Sequence, residues 1–386
     1  MPEPTTTLEE AAAGSIFTDL GARPVINAGG AYTVLGGSRL SPSVRAAMED
    51  ANRRFVDMKG LITSSGRLIA NLLDAEAAFV TSGAAAALAV AAAACLTRGH
   101  PDYFERLPDT EGIPNEIITQ KSTRQKYDRC VTLTGAHLVE IGPPTGTTAD
   151  ELRAAIGPQT AAIHYFVAFR GEPVLPIETV IEIAHERGIP VIVDAAGMTY
   201  PVDNLRRYVR LGADLVCYAA KYFDAPHSTG LLVGSSEMVD LALINSFIGF
   251  ETSGYLTIGR PMKVDRQEIV ATVVALKEWL TMDHESRLLH YGERAGAILA
   301  RIRDIPGIEA WRISERETPI PVIRDGVRIR LASPEAATAV MQTLLAGEPS
   351  IAVRTEGPAV NVSVAFFDDA DLDIVATRLR EALSGS

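Results

Sequence analysis

Three groups in this chain have the types and spacing to do chemistry together: Thr81-Ser82-Gly83-Ala84, Asp194 and Lys221. Lys221 lies in residues 212–234, GADLVCYAAKYFDAPHSTGLLVG. This stretch reads as an apolar strand over 215–218, a turn carrying the lysine, a His-Ser-Thr-Gly loop and a second apolar strand over 231–233. An amine at a strand end, between two apolar strands, is poorly hydrated, and desolvation lowers a lysine pKa and makes it a usable nucleophile. Such an amine suits a Schiff base with an aldehyde. A surface lysine after a core strand would leave the same local pattern.

Asp194 follows four apolar-run residues in PVIVDAAGM (190–198), which puts its carboxylate at the end of a buried strand. A buried carboxylate needs a cationic partner. A protonated pyridine nitrogen would serve, and the ion pair would strengthen the ring as an electron sink. Ala196, two residues on, is small enough to let a ring lie flat against it. An N-cap aspartate is the alternative. Ser82, Gly83 and Ala84 stand between a strand and an alanine-rich helix, where backbone N–H groups and the serine hydroxyl make a phosphate cradle. The spacing is neither Walker nor GxGxxG, and an ordinary N-cap on a tightly packed helix would share it. Lys221 follows Asp194 by 27 residues. The ordered set of phosphate turn, strand-end Asp and strand-end Lys fits pyridoxal 5'-phosphate, giving phosphate, ring nitrogen and aldehyde one partner each.

The elements that must position these groups alternate between β and α. Strands are expected at 77–83, 116–119, 137–141, 161–167, 190–194 and 215–218, separated by helices at 84–96, 124–133, 148–156, 176–188 and 203–211, with a loop insertion over 99–115. Upstream, Ser41-Pro42 opens a helix running to Phe55, and another spans 65–73. Such alternation implies right-handed crossovers and a mainly parallel sheet, with ligands bound beyond the carboxyl ends of the strands. Each chemical group above lies at such an end. Long helices over 265–282 and 285–304 lead into an α+β region with strands IEAWRIS, PIPVIRD, VRIRLAS, IAVRT and AVNVSVAF and helices over 334–345 and 371–383. The expected organisation is a tail over 1–20, a large domain over 21–270 and a small domain over 271–386, joined without a flexible linker.

With 386 residues, 47% hydrophobic and 22% charged, the chain is globular. A net charge of −12 argues against nucleic-acid or anionic-membrane partners, which need basic surface. Cys95, Cys130 and Cys217 show no metal spacing and read as reduced thiols of a cytoplasmic protein; no metal site is expected. The acidic start MPEPTTTLEEAAAGS lacks the apolar core of a signal peptide, and the alanine run is too short to span a bilayer.

At RPVINAGGAYTVLGGS, AAFVTSGAAAAL, VDAAGM, the Lys221 segment ending STGLLVG, and GRPMKVDRQEIV (259–270), the chain resembles the fold-type-I PLP enzymes. The resemblance is to the selenocysteine-synthase-like group that includes D-glucosaminate-6-phosphate ammonia-lyase. It covers roughly residues 20–280. It implies an α/β large domain with a mainly parallel seven-stranded sheet, a smaller C-terminal α+β domain, and a homodimer or higher oligomer with shared active sites. It implies Lys221 as the Schiff-base lysine, Asp194 as pyridinium partner, Ser82 to Ala84 at the phosphate and Ala196 beneath the ring. Ser228, Thr229 and Arg260 would lie at cofactor or substrate. Ala219-Ala220 precede the lysine and Ala225-Pro226-His227 follow it, where the family has glycine-rich pairs and Gly-Pro-Gln. Residues 125–128 match a segment near the ring, but the histidine often found just upstream is Thr123 or Arg124 here.

The expected substrate is an amino acid or amino sugar acid, with Lys221 as α-proton base and either β-elimination with deamination (lyase) or reprotonation (racemase or epimerase) following. His164 and His227, with Arg124 and Tyr127, are the candidates for a second acid/base. Arg260, Arg354 and Arg124 are the candidates for a substrate carboxylate, which arginine binds bidentately. An aminotransferase is the alternative reaction. A non-catalytic scaffold or regulator on the same fold, and an enzyme binding another phosphorylated ligand, are the alternatives of other classes. A tRNA substrate would want basic surface and an appended RNA-binding region.

Overall fold

The alternating apolar runs become strands in a computed structural model that describes residues 16–168, 171–317 and 321–385. In chain order the strands are β1 (Ile26–Asn27), β2 (Ala77–Thr81), β3 (Glu116–Gln120), β4 (His137–Ile141), β5 (Thr160–Phe166), β6 (Val191–Asp194) and β7 (Leu215–Ala219). They continue with β8 (Gly230–Gly234), β9 (Glu309–Ile313), β10 (Gly326–Arg330), β11 (Ile351–Ala352), β12 (Arg354–Glu356) and β13 (Ala359–Ser363).

Two compact units share these strands: Ser38–Thr281, and Met1–Gly37 together with Met282–Ser386. The large unit holds a seven-stranded sheet in the order β2-β8-β7-β6-β5-β3-β4. Pairings from β7 through β4 are parallel, and β8 runs antiparallel to both its neighbours. Both faces must therefore be covered, and the strands read as near-continuous apolar runs because of it. The helix Gly83–Thr97 is buried at every position from Ala86 to Thr97. It packs on β5 to β8 and also against the helices Arg129–Thr132 and Ser236–Ile244, which is why its sequence has no polar face.

The small unit holds the antiparallel sheet β12-β13-β10-β9 and the two-stranded parallel pair β1-β11. Its core joins Val327, Ile329, Val360 and Val362 of the sheet to Ile298 and Ile302 of the helix His284–Ile302 and to Val375 and Leu379 of the C-terminal helix.

The division differs from limits at 21 and 270. The helix Arg266–Thr281 buries Ile269, Ala271, Ala275, Leu276 and Trp279 in the large unit, and the Trp279 indole donates to the Thr199 carbonyl at 2.9 Å. The chain breaks at Asp283, whose carboxylate accepts from Ser286 N–H and starts the next helix. The segment before Ser38 belongs to the small unit because β1 pairs with β11. Of the expected tail, 1–15 lies outside the described residues and Ile16–Asp19 is one helical turn. The helix expected from 65 starts at Met58, capped by Asp57 accepting from Gly60 N–H at 2.9 Å.

Candidate active site

β2 to β7 finish on one edge of the large sheet, and β8 begins there. One rung across that edge joins Thr81, Gly230 and Ala219. A second, two residues deeper along β7, joins Leu232, Cys217, Asp194 and Phe166. Adjacent strands lie about 4.8 Å apart, so the phosphate-turn strand and the lysine strand end roughly 10 Å from each other.

Lys221 follows the last residue of β7 by two positions, in the single 3-10 turn Ala220–Phe223. Ala220 N–H donates to the Thr229 carbonyl at 3.0 Å, and Ala219 N–H to the Ala196 carbonyl at 3.0 Å, so the turn is tied to the β8 loop and to the strand-end loop of Asp194. Burial lowers the Lys221 ammonium from its ordinary value. Its Nζ stands 5.1 Å from the centroid of the Tyr222 ring. His227 senses the same amine: burial first, then the Lys221 charge, lowers its pKa. The His227 Nδ1 is buried without a hydrogen-bond partner.

Asp194 ends β6 with 3% of its surface exposed. Its Oδ1 accepts from Ala196 N–H at 3.1 Å and its Oδ2 from the Gln125 side-chain amide at 3.2 Å. Neither donor is charged. Burial pushes the carboxyl up to about 6; the Ala196 N–H and the Gln125 amide act downward, and the charge of Asp128 acts upward. A carboxylate in this state gains most from a cation laid against it, which is what a protonated pyridine supplies.

The phosphate turn meets the opening of β8. Ser82 precedes the helix Gly83–Thr97 and makes no side-chain capping bond, and the first N–H groups of a helix lack intrahelical acceptors. Gly83 has φ +85°, open to glycine. Gly230 approaches so closely that an added Cβ would lie 2.5 Å from the Gly83 carbonyl carbon and 2.6 Å from Ala84 N. Small residues here leave room for an anion at the helix end. Together the uncapped turn, the buried carboxylate and the desolvated amine on one sheet edge fit pyridoxal 5'-phosphate.

The remaining sequence candidates divide. Ala196 joins the site through its bond to Asp194. Ser228 hydroxyl donates to Glu268, and Thr229 is fully buried, donating to the Pro226 carbonyl at 2.8 Å and accepting from Thr272 at 2.9 Å. Thr229 thus acts on the lysine turn from behind. His164, in β5, is 2% exposed with both ring nitrogens unpartnered, and burial takes its pKa down to about 4. Arg124 is engaged by Asp128 and Glu140, and Arg260 pairs with Glu251 at 2.7 Å on the surface. Arg354, in the small unit, lies 4.8 Å over the Tyr32 ring. Tyr127 is half exposed. The resemblance had put residues 125–128 near the ring, but the bond from Gln125 to Asp194 was not readable locally, since the two lie 69 residues apart.

The DegT/DnrJ/EryC1/StrS aminotransferase family matches residues 58–209, a span containing the phosphate turn and Asp194. The chain is 34% identical over 349 residues to a 5'-C-glycyluridine monooxygenase-decarboxylase from a Streptomyces species, covering 88% of this chain and 84% of the relative. It is 32% identical over 316 residues to the D-glucosaminate-6-phosphate ammonia lyase of Salmonella typhimurium, covering 78% and 82%. A solved structure of D-glucosaminate-6-phosphate ammonia-lyase superposes with a TM-score of 0.81 at 27% identity, over 96% of this chain and 98% of that one. The likeness in sequence and in fold runs through both units, and the chain belongs to the fold-type-I PLP-dependent enzymes, in the selenocysteine-synthase-like group that includes D-glucosaminate-6-phosphate ammonia-lyase.

Proposed function

We propose that this enzyme is a lyase: it removes the α-proton of an amino acid or amino sugar acid, expels a β-substituent, and yields a keto acid and ammonia. The observation that carries the reading is Lys221, a burial-depressed amine set on the same sheet edge as the buried Asp194. Bound here, the cofactor supplies the carbonyl that takes up the substrate amine and a ring that draws electron density from the α-carbon. Asp194 holds the proton on the ring nitrogen. Ser82, Gly83 and Ala84 hold the phosphate, and Thr229 fixes the lysine turn. Lys221 Nζ takes the α-proton. His227, beside that amine, passes the proton taken by Lys221 on to the departing Cβ hydroxyl, which leaves as water, and hydrolysis of the enamine so formed gives the keto acid and ammonia.

The ammonia-lyase relative supports a sugar-acid substrate. The glycyluridine relative supports a second reading, oxygen-consuming decarboxylation. Purified enzyme is given D-glucosaminate 6-phosphate and a panel of free amino acids. Ammonia and keto acid formed without an amino acceptor support the lyase. Oxygen uptake with carbon dioxide release supports the second reading, and a requirement for a keto-acid acceptor makes the enzyme an aminotransferase.

We also infer a cytoplasmic homo-oligomer. Unpaired thiols at Cys95, Cys130 and Cys217 support the compartment, and the exposed Phe55 and Leu256 of the large unit support association. Among the described residues no helix is long and apolar enough to cross a membrane.

A further inference from the structure

We propose that Gln125 is a positioning residue for the cofactor's ring: its side-chain amide, on a turn locked by Asp128 and Arg124, fixes the orientation of the Asp194 carboxylate. The proposal rests on the reading of Asp194 as the ring's partner. Gln125 opens a 3-10 turn, Lys126–Asp128: Asp128 N–H donates to the Gln125 main-chain carbonyl at 3.2 Å, and the Asp128 carboxylate accepts from Gln125 N–H at 3.0 Å. From this turn the Gln125 side-chain NH2 meets Asp194 Oδ2 at 3.2 Å. The turn is anchored further. The Arg124 guanidinium donates to the same Asp128 oxygen and to Glu140 on β4. Asp128 is 3% exposed, so a buried carboxylate and a guanidinium hold the turn that carries this neutral amide.

That amide and Ala196 N–H grip the two Asp194 oxygens separately, which fixes the plane of the carboxylate. The other titratable groups around it are Asp128 and Cys130 from the turn and the helix after it, and Cys217 from β7; burial raises both thiols and keeps them neutral. Without the amide, the carboxylate turns or takes the proton, and the ring nitrogen loses it in either case.

The test is the protonation of the ring nitrogen in full-length holoenzyme loaded with 15N-labelled pyridoxal phosphate, followed by NMR against pH. Gln125→Met keeps the length of the side chain and removes the donor. The expected result is a ring nitrogen that gives up its proton at least one pH unit below wild type, with kcat down about 10- to 100-fold, the worth of a hydrogen bond to a charged group, and KM within threefold. Asp128→Asn, which keeps an acceptor for Gln125 N–H, should shift the titration less. A Gln125→Met enzyme that titrates like wild type overturns the proposal, as does an Asp128→Asn shift larger than that of Gln125→Met. If Gln125→Met does not fold, the Asp128→Asn holoenzyme decides alone: an unchanged titration overturns the proposal and a downward shift supports it. Asp194→Asn separates the two layers. If it leaves the nitrogen protonated, the reading of Asp194 itself fails; if it alone deprotonates the ring, only the role of Gln125 fails.

Discussion

Gly230 and Gly83 meet backbone to backbone: a Cβ on Gly230 would lie 2.5 Å from the carbonyl carbon of Gly83, inside any real contact distance. The start of β8 is thereby pressed against the phosphate turn, and the same strand start is in register with Ala219, two residues before the lysine. Gly230 therefore couples the turn at Ser82 to the turn that carries Lys221.

Gly230→Ala should push the turn away from β8. We expect cofactor Kd to rise at least tenfold, with about 1–3 kcal/mol lost from the stability of the chain, as overpacking of a close contact costs. Gly157→Ala, at another glycine outside the positive-φ region and with nothing within 4 Å, is the control for the added methyl alone. Fluorescence titration with pyridoxal phosphate and thermal melts of both variants check this; a Gly230→Ala Kd equal to that of the control contradicts it.

Asp194 gives cofactor-free protein a specific pH dependence. Its folded pKa, about 6, is above its ordinary 3.8, so between these values the folded chain binds more protons than the unfolded one. The Asp194 contribution to stability then falls as pH rises from 4 to 6 and stays lowered above it. The full effect is at most about 3 kcal/mol at 1.36 kcal/mol per pKa unit. Asp194→Asn should flatten that slope, and added pyridoxal phosphate should offset the penalty in wild type only. Urea melts at pH 4 and pH 8 measure both; an equal slope in wild type and variant contradicts the assignment.

His227→Asn should separate two halves of the reaction. If His227 protonates the leaving group, elimination falls about 10²- to 10⁴-fold, while Lys221 still exchanges the substrate α-hydrogen with deuterated solvent. Product release and deuterium wash-in are measured on the same sample. Loss of both at once would assign His227 to the lysine instead.

Much of this was legible before the fold. Apolar runs bounded by Gly, Pro and polar turns marked all seven strands of the large sheet; the inner strands, buried on both faces, need no alternation to declare themselves, and the edge strand β4, exposed at His137 and Glu140, was marked by its Leu138, Val139 and Ile141. Lys221, Asp194 and Ser82 could be placed at strand ends for the same reason. The small unit was harder. IAVRT reads as one strand, yet Ile351–Ala352 pairs with β1 while Arg354–Glu356 pairs with β13, with Val353 between them. PIPVIRD reads as a strand, but Pro319 and Ile320 lie outside the described residues, and the rest is turn and irregular backbone with Arg324 at φ +61°. Short edge segments are assigned by their partners, and partners are not written in local sequence. Arg124 shows the same limit: its charge suggested a substrate contact, and only the fold brings Asp128 and Glu140 to it.

Arg124→Gln tests that correction. With its guanidinium engaged by two carboxylates, the residue should leave substrate KM within about threefold while lowering stability by about 1–3 kcal/mol, since Asp128 is left buried with a charged donor removed. A KM raised tenfold or more with unchanged stability would return Arg124 to the substrate.

The most direct measurement is borohydride reduction of the yellow holoenzyme followed by peptide mapping. The reduced pyridoxyl group should be found on Lys221, in a peptide of the segment YAAKYFDAPH, and Lys221→Ala should take up no label. A label on Lys126, Lys263 or any other lysine, with Lys221 unmodified, would contradict the account.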